Sequence, residues 1–212
     1  SSTGATTIPR NVGKQITQGV NVTLNYSIIR RDDMFWSVNA NMRHQTSEYR
    51  NVSDVLTKYN LDNRNRNLTR YYDGGSPSDL WAVRSAGIDP ASGQEVYIKK
   101  NGNYTFAYDK NERVEVGNTN PMLEGSLFTS LSYRGFTLNV TAAYKFGGDI
   151  YNTTLANKVE YIDPYGNVDR RAFTKRWKKP GDLVRFLGIP ENVSDENRYS
   201  ERFVERDNTF AI

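Results

Sequence analysis

The sequence predicts an all-β chain: an antiparallel, up-and-down segment of a transmembrane β-barrel carrying long extracellular loops. Three observations lead there. Two stretches alternate apolar and polar residues with strand period, short turns and long excursions alternate along the chain, and aromatic residues mark both ends of the apolar face. The first stretch runs from Gly19 to His44. Val20, Val22, Leu24, Tyr26 and Ile28 alternate with Asn21, Thr23, Asn25 and Ser27, and Ile29 falls out of step. After a polar turn at Arg30-Arg31-Asp32-Asp33, Trp36, Val38, Ala40 and Met42 alternate with Ser37, Asn39, Asn41 and Arg43.

The second stretch runs from Gly125 to Gly148. Leu127, Thr129, Leu131 and Tyr133 share one face; Ser126, Ser130 and Ser132 share the other, with Phe128 out of pattern. Arg134-Gly135 is a tight turn, where glycine takes positive φ without a Cβ penalty. Phe136, Leu138, Val140, Ala142, Tyr144 and Phe146 then alternate with Thr137, Asn139, Thr141, Ala143 and Lys145. Phe136 and Phe146 share a face. Ten residues at ~3.3 Å rise and ~45° tilt separate them by roughly 23 Å along the normal, near the height of a barrel's apolar band.

Two long polar excursions, about 46–124 and 147–205, complete the order. Up-and-down strands send alternate connections to opposite ends of a sheet, so both tight turns lie at one end and both excursions at the other. That asymmetry fits short periplasmic turns and long extracellular loops. Within the first excursion, 52–59 is the best helical candidate. Val96–Lys99 and Tyr104–Tyr108 suggest a small hairpin around Asn101-Gly102. The rival architecture is a soluble or surface-attached β-sandwich that binds glycans, in which a second sheet covers the apolar face.

Composition narrows the function. The 212 residues contain no cysteine and one histidine, His44, which removes disulfide scaffolds, thiol enzymes and cysteine-bound zinc. Aromatics at 12% argue against disorder, and no run of 18 apolar residues offers a membrane helix. The 28 basic and 24 acidic residues nearly balance, which gives little reason to expect nucleic acid. No initiator Met or signal peptide is present, and Phe210-Ala211-Ile212 reads as the start of a strand. We therefore read the chain as an internal piece of a longer protein.

Several strings add a resemblance. Asn11-Val12-Gly13-Lys14 and Gly19-Val20 are followed by Ala86-Gly87-Ile88-Asp89-Pro90-Ala91-Ser92-Gly93-Gln94-Glu95-Val96-Tyr97. Val116-Gly117-Asn118-Thr119-Asn120-Pro121 and Ser132-Tyr133-Arg134-Gly135-Phe136-Thr137-Leu138 come next. Gly147-Gly148-Asp149-Ile150-Tyr151-Asn152 and Trp177 before Pro180-Gly181-Asp182 close the set. In this order they resemble the SusC/RagA family of TonB-dependent outer-membrane transporters. The resemblance implies a barrel of about 22 strands with an N-terminal plug. It also implies a SusD-like lipoprotein lid, energy from TonB acting on the plug, and an oligosaccharide or peptide cargo. Residues 1–212 would then be a late part of one barrel domain in the outer membrane, with plug and TonB box outside this chain.

Tyr71, Tyr72, Trp81 and Trp177 lie in the excursions and are the candidate ligand-binding residues, because a ring with a polar edge can stack on a sugar. Trp81 and Tyr72 rank first. Packing within the loops or against the lipoprotein is the plainer role for all four, and loop shaping is the plainer role for 86–93. The basic run Arg170, Arg171, Lys175, Arg176, Lys178 and Lys179 interleaves Phe173 and Trp177, but acidic residues follow it. It reads as a solvated loop or a contact for lipopolysaccharide phosphates. Asp32-Asp33, or Asp62 with Asp73, make no converging acid/base pair, so no enzyme, catalytic residue or cofactor is expected. Asp62-Asn63-Arg64-Asn65 and Asp73-Gly74-Gly75-Ser76 offer oxygen atoms without EF-hand spacing, so no metal is expected either.

Overall fold

A computed structural model describes residues 11–64, 69–162, 169–188 and 199–212. Among them, nine strands and a nine-residue helix follow in chain order: β1 (Lys14–Arg31), β2 (Met34–Arg50), α1 (Asp54–Asp62), β3 (Asp79–Ile88), β4 (Glu95–Ile98), β5 (Tyr104–Thr105), β6 (Arg113–Asn118), β7 (Leu123–Tyr133), β8 (Phe136–Tyr151) and β9 (Val204–Ala211). Five strands form one antiparallel sheet in the order β1-β2-β7-β8-β9. Each pairs with its sequence neighbour in that list, as an up-and-down wall requires. The wall is open; the described strands do not close into a barrel.

Register carries the alternation across the wall. Val22, Met42, Gly125, Tyr144 and Phe210 form one cross-strand row, and Leu24, Ala40, Leu127 and Ala142 form the next. On the opposite face Asn41 Nδ2 donates to Asn21 Oδ1 at 2.9 Å and to Thr23 Oγ1 at 3.0 Å. Lys145 and Asp207 pair there at 2.6 Å. The misfit at Ile29 has a geometric cause. Ser27 pairs Ser37 while Ile29 pairs Trp36, so Ile28 is a one-residue bulge that returns Ile29 to the apolar face. Phe128 is a true exception, set on the polar face opposite Asn39 and Thr141. Gly125 is required by close approach. A Cβ there would lie 1.9 Å from the Asn41 carbonyl oxygen, and Tyr144 fills the space from β8, its hydroxyl donating to that oxygen at 2.9 Å.

Both tight turns lie at one end. Arg134 and Gly135 each adopt positive φ (46° and 86°), as a two-residue turn of the twist-compatible type demands. Arg134 N–H donates to Asp33 O at 3.0 Å, joining this turn to the one at 32–33. The strands are longer than the alternation shows. β1 and β2 reach 18 and 17 residues, so the first hairpin spans 14–50 rather than 19–44, and the second spans 123–151 rather than 125–148. Most residues added to the first hairpin, such as Gln15, Gln18, Gln45 and Glu48, are polar, and Ile16 and Tyr49 fall on opposite faces, so they pair without an apolar stripe to reveal them.

The two excursions fold. In the first, α1 falls two residues later than the 52–59 reading and precedes a four-stranded sheet, β5-β4-β3-β6. The β4–β5 hairpin exists, but Ile98 pairs Tyr104 across a five-residue loop with Gly102 at φ 86°, not across a two-residue Asn-Gly turn. The second excursion coils through 153–160 and 171–174 around Leu155, Val159, Ile162, Ala172, Phe186 and Phe203, all buried. Together they form a cap beyond the wall's open end. Tyr49 and Gly75 exchange backbone hydrogen bonds through their neighbours (Tyr49 N to Gly75 O, 2.7 Å; Gly74 N to Tyr49 O, 2.9 Å), and Asn118 N donates to Asp149 at 3.0 Å. The cap leaves the wall's apolar face uncovered: Val20 is 64% exposed, Leu24 59% and Phe136 81%. A sandwich would bury these side chains under a second layer, and the described residues place none there.

Candidate functional site

The cap is built where the two excursions meet. Val83 N–H donates to Tyr199 O at 2.8 Å, and Val83 forms a parallel bridge with Ser200, which sews the second excursion onto β3. Beneath that seam lies a buried charge cluster. Arg202 reaches Glu95 of β4 and Glu160, each at 2.8 Å, with side-chain exposures of 8%, 2% and 0%. The Ser200 hydroxyl donates to Glu95 as well. Burial pushes the Glu95 carboxyl up, but the Arg202 bond and charge, with Ser200, outweigh it and hold Glu95 below its ordinary range. Burial wins at Glu160, which is raised despite Arg202; its Oε2 is buried without a donor among the described residues. One cation thus faces two carboxyls in unequal environments.

Trp177 forms a second seam. Its indole N–H donates to Pro90 O at 2.9 Å, and its ring lies against Gly93, where a Cβ would come within 2.4 Å. Gly93 also sits at φ 70°, so both contact and backbone call for glycine. Gly181 N–H donates to the same Pro90 oxygen at 2.9 Å. The 86–93 segment is therefore a shaped loop whose outer side receives the other excursion.

The four ring candidates separate. Tyr72 and Trp81 come together, edge to face with centroids 5.6 Å apart. The Tyr72 hydroxyl donates to Asp79 at 2.9 Å and to Glu115 at 3.1 Å. Burial, then the Asp79 carboxylate, push that hydroxyl above the ordinary tyrosine range, so it stays a donor. Tyr71 stands elsewhere, packed between Tyr49 (5.2 Å) and Tyr59 of α1 (5.8 Å). Trp177 is at the seam with Gly93. Each ring already has a protein partner.

The remaining motifs also resolve. Arg171 pairs with Asp169 at 2.7 Å, while Arg176, 3% exposed, donates to the carbonyls of Ala172, Val159 and Glu160. The basic run is therefore divided between surface and core and is not a continuous patch. Asp73 caps the Val52 N–H at 2.9 Å, and Asn65 lies outside the described residues. His44 hydrogen-bonds the Met122 carbonyl at 2.7 Å. Among the described residues no group of three His, Asp or Glu side chains is placed to hold a metal ion.

Sequence reasoning missed Glu95, Glu160, Ser200 and Arg202, and it read Arg176 as part of a solvated loop where the structure buries it. Periodicity hints only at Glu95, which shares the buried phase of β4 with Tyr97.

Among the described residues, cavities open around the cap. One of about 410 Å³ is lined by His44, Glu48, Asp79, Glu115 and Asn118. An apolar one of about 270 Å³ lies under Tyr49, Tyr71 and Leu56. A third of about 350 Å³ lies beside Trp81, facing α1.

An open antiparallel wall, apolar on one face and capped at one end by folded insertions, defines the class: a β-rich, mostly antiparallel segment. Two solved structures are similar to it. The chain matches a chain of the RagAB peptide transporter with a TM-score of 0.72 at 16% identity, over 95% of this chain and 22% of that one. It matches a chain of the RagAB peptide importer in its "closed-closed" state with a TM-score of 0.70 at 17% identity, over the same shares. The chain thus spans about a fifth of the length of these neighbours. No protein-family model and no curated protein matches it.

Proposed function

We propose that this chain is a late wall segment and cap of a SusC/RagA-type outer-membrane importer that takes up a peptide nutrient. One observation carries the reading. A meander with short turns at one end, folded insertions at the other and an uncovered apolar face superposes over 95% of its length on chains of a peptide importer. In this reading acyl chains wet the Val22–Phe210 row, and the Asn21–Asn41 face looks into the passage. The cap is extracellular and docks a SusD-like lipoprotein, while TonB acts through a plug outside this chain. The chain performs no covalent chemistry and needs no cofactor. Peptide is favoured over oligosaccharide because the rings suited to stacking on sugar are engaged with one another and with the cap.

The test is uptake by cells producing the full-length protein. Deleting the gene should abolish growth on a peptide mixture as sole amino-acid source, and expression in trans should restore it. Growth lost on oligosaccharide instead, with Trp81→Ala slowing its uptake, would move the cargo to sugar. Recovery of the protein in the soluble fraction would end the outer-membrane reading.

A further inference from the structure

We propose that the cavity beside Trp81 is a subsite for a carboxylate, the anionic group of an acidic cargo peptide. The proposal deepens the peptide-import reading and rests on it. The cavity measures about 350 Å³, and its lining includes Arg64, Arg70, Lys100, Lys110, Arg113 and Trp81, with no acidic residue among the described residues that line it. α1 and the turn after it supply one wall. β3, β6 and the loops around β5 supply the other.

Two of the cations are structural. Arg70 clamps the carbonyls at the end of α1, donating to Asn60 O and Asn63 O at 3.1 Å and to Arg64 O at 3.0 Å. Arg113 lies 4.9 Å over the Tyr199 ring and donates to the Tyr108 hydroxyl. The other three are arms at the rim. Among the described residues, Lys100 Nζ donates to the Asn111 carbonyl, a neutral group, and Lys100, Arg64 and Lys110 form no ion pair. Their acidic chain neighbours are turned to backbone: Glu112 accepts from Lys100 N–H at 2.6 Å and Asp109 from Asn111 N–H at 2.8 Å.

Assembling like charges in a concave site raises its free energy, and a ligand anion relieves that cost. Burial and the Arg113 charge together lower Arg70 below its ordinary value, as crowding of cations requires. Beside the cations, Leu61 and the Trp81 indole ring give an apolar wall. A carboxylate on an aliphatic stem, as in Glu, uses cations and apolar wall together. An inorganic anion uses only the cations.

The test uses the full-length transporter in detergent and two peptides of identical length that differ at one central position, Glu or Gln. Calorimetry at low salt should give about fivefold tighter binding of the Glu peptide. The K100Q/K110Q variant should bring that ratio to about one. K178Q/K179Q removes the same charge from the other excursion and should leave the ratio intact. Equal affinities in the unaltered protein would overturn the proposal. So would a preference that survives K100Q/K110Q or vanishes in K178Q/K179Q. Peptides that are imported equally would sink this subsite while leaving the importer reading standing, whereas failure to bind or import either peptide would remove both.

Discussion

The wall and the cap solve burial in opposite ways. In the wall, Leu24, Leu138 and Phe136 share the apolar face and stay exposed, while Asn25 and Asn39, and Asn21 and Asn41, hydrogen-bond in pairs across β1 and β2 on the polar face. In the cap, Val159 and Phe203 are fully buried and charged side chains are buried beside them, Glu160 and Arg202 among them. The wall relies on ladder hydrogen bonds and leaves one apolar face uncovered. The cap relies on its own small core and needs its charges matched. Mutations of one chemical kind should therefore act with opposite sensitivity in the two regions.

The largest effect is expected at Arg202. Arg202→Met leaves two buried carboxyls without their cation, and breaking such a cluster costs about 3–5 kcal/mol. Hydrogen exchange on the full-length protein should show protection lost at Val83 and across 199–203, with the wall unchanged; retained protection would mean the cluster is dispensable. Adding E95Q and E160Q should restore much of it.

Next comes the wall. Leu24→Arg puts a charge on the outer face and should cost about 2–4 kcal/mol in a bilayer, whereas Asn25→Arg on the inner face should cost far less. Urea titration in lipid vesicles separates them, and equal costs would mean that the outer face is not in lipid. Trp177→Ala removes the indole bond to Pro90 and the packing on Gly93. About 2–3 kcal/mol of local stability should go, read as faster proteolysis of the second excursion.

The smallest effect is pH-dependent. The Glu95 carboxyl is depressed, so its contribution is present above the ordinary carboxylate range and is lost as pH falls through the depressed value. Glu160 is raised, so the folded cap holds its proton more tightly, and cap stability declines as pH climbs from the ordinary carboxylate value through the raised one. Glu160→Gln should abolish that second slope and leave the acid-side loss in place. A slope unchanged in the variant would assign it to another group.

The same contrast explains what was legible in the sequence. The wall was readable because its period-two stripe is local; even the lapse at Ile29 had a local cause in the Ile28 bulge. Strand ends were not, because Gln18 pairs Thr46, Ile16 pairs Glu48 and Gln15 pairs Tyr49, so no apolar row marks a face there. The cap was barely readable. Arg202 finds Glu95 across 107 residues, and Trp177 finds Pro90 across 87, and no periodicity reports such pairings. Ring chemistry placed Tyr72 and Trp81 in the candidate set, and the structure brings them together. The same chemistry could not tell that Trp177 would lie against Gly93, because an indole looks alike in a seam and in a ligand site.

The bridge between Val83 and Ser200 has an engineering consequence. Each excursion carries half of a shared interior, so neither is a portable module. Transplanting one onto a related scaffold would strand a carboxylate or an arginine at the graft, and only the matched pair should transfer intact.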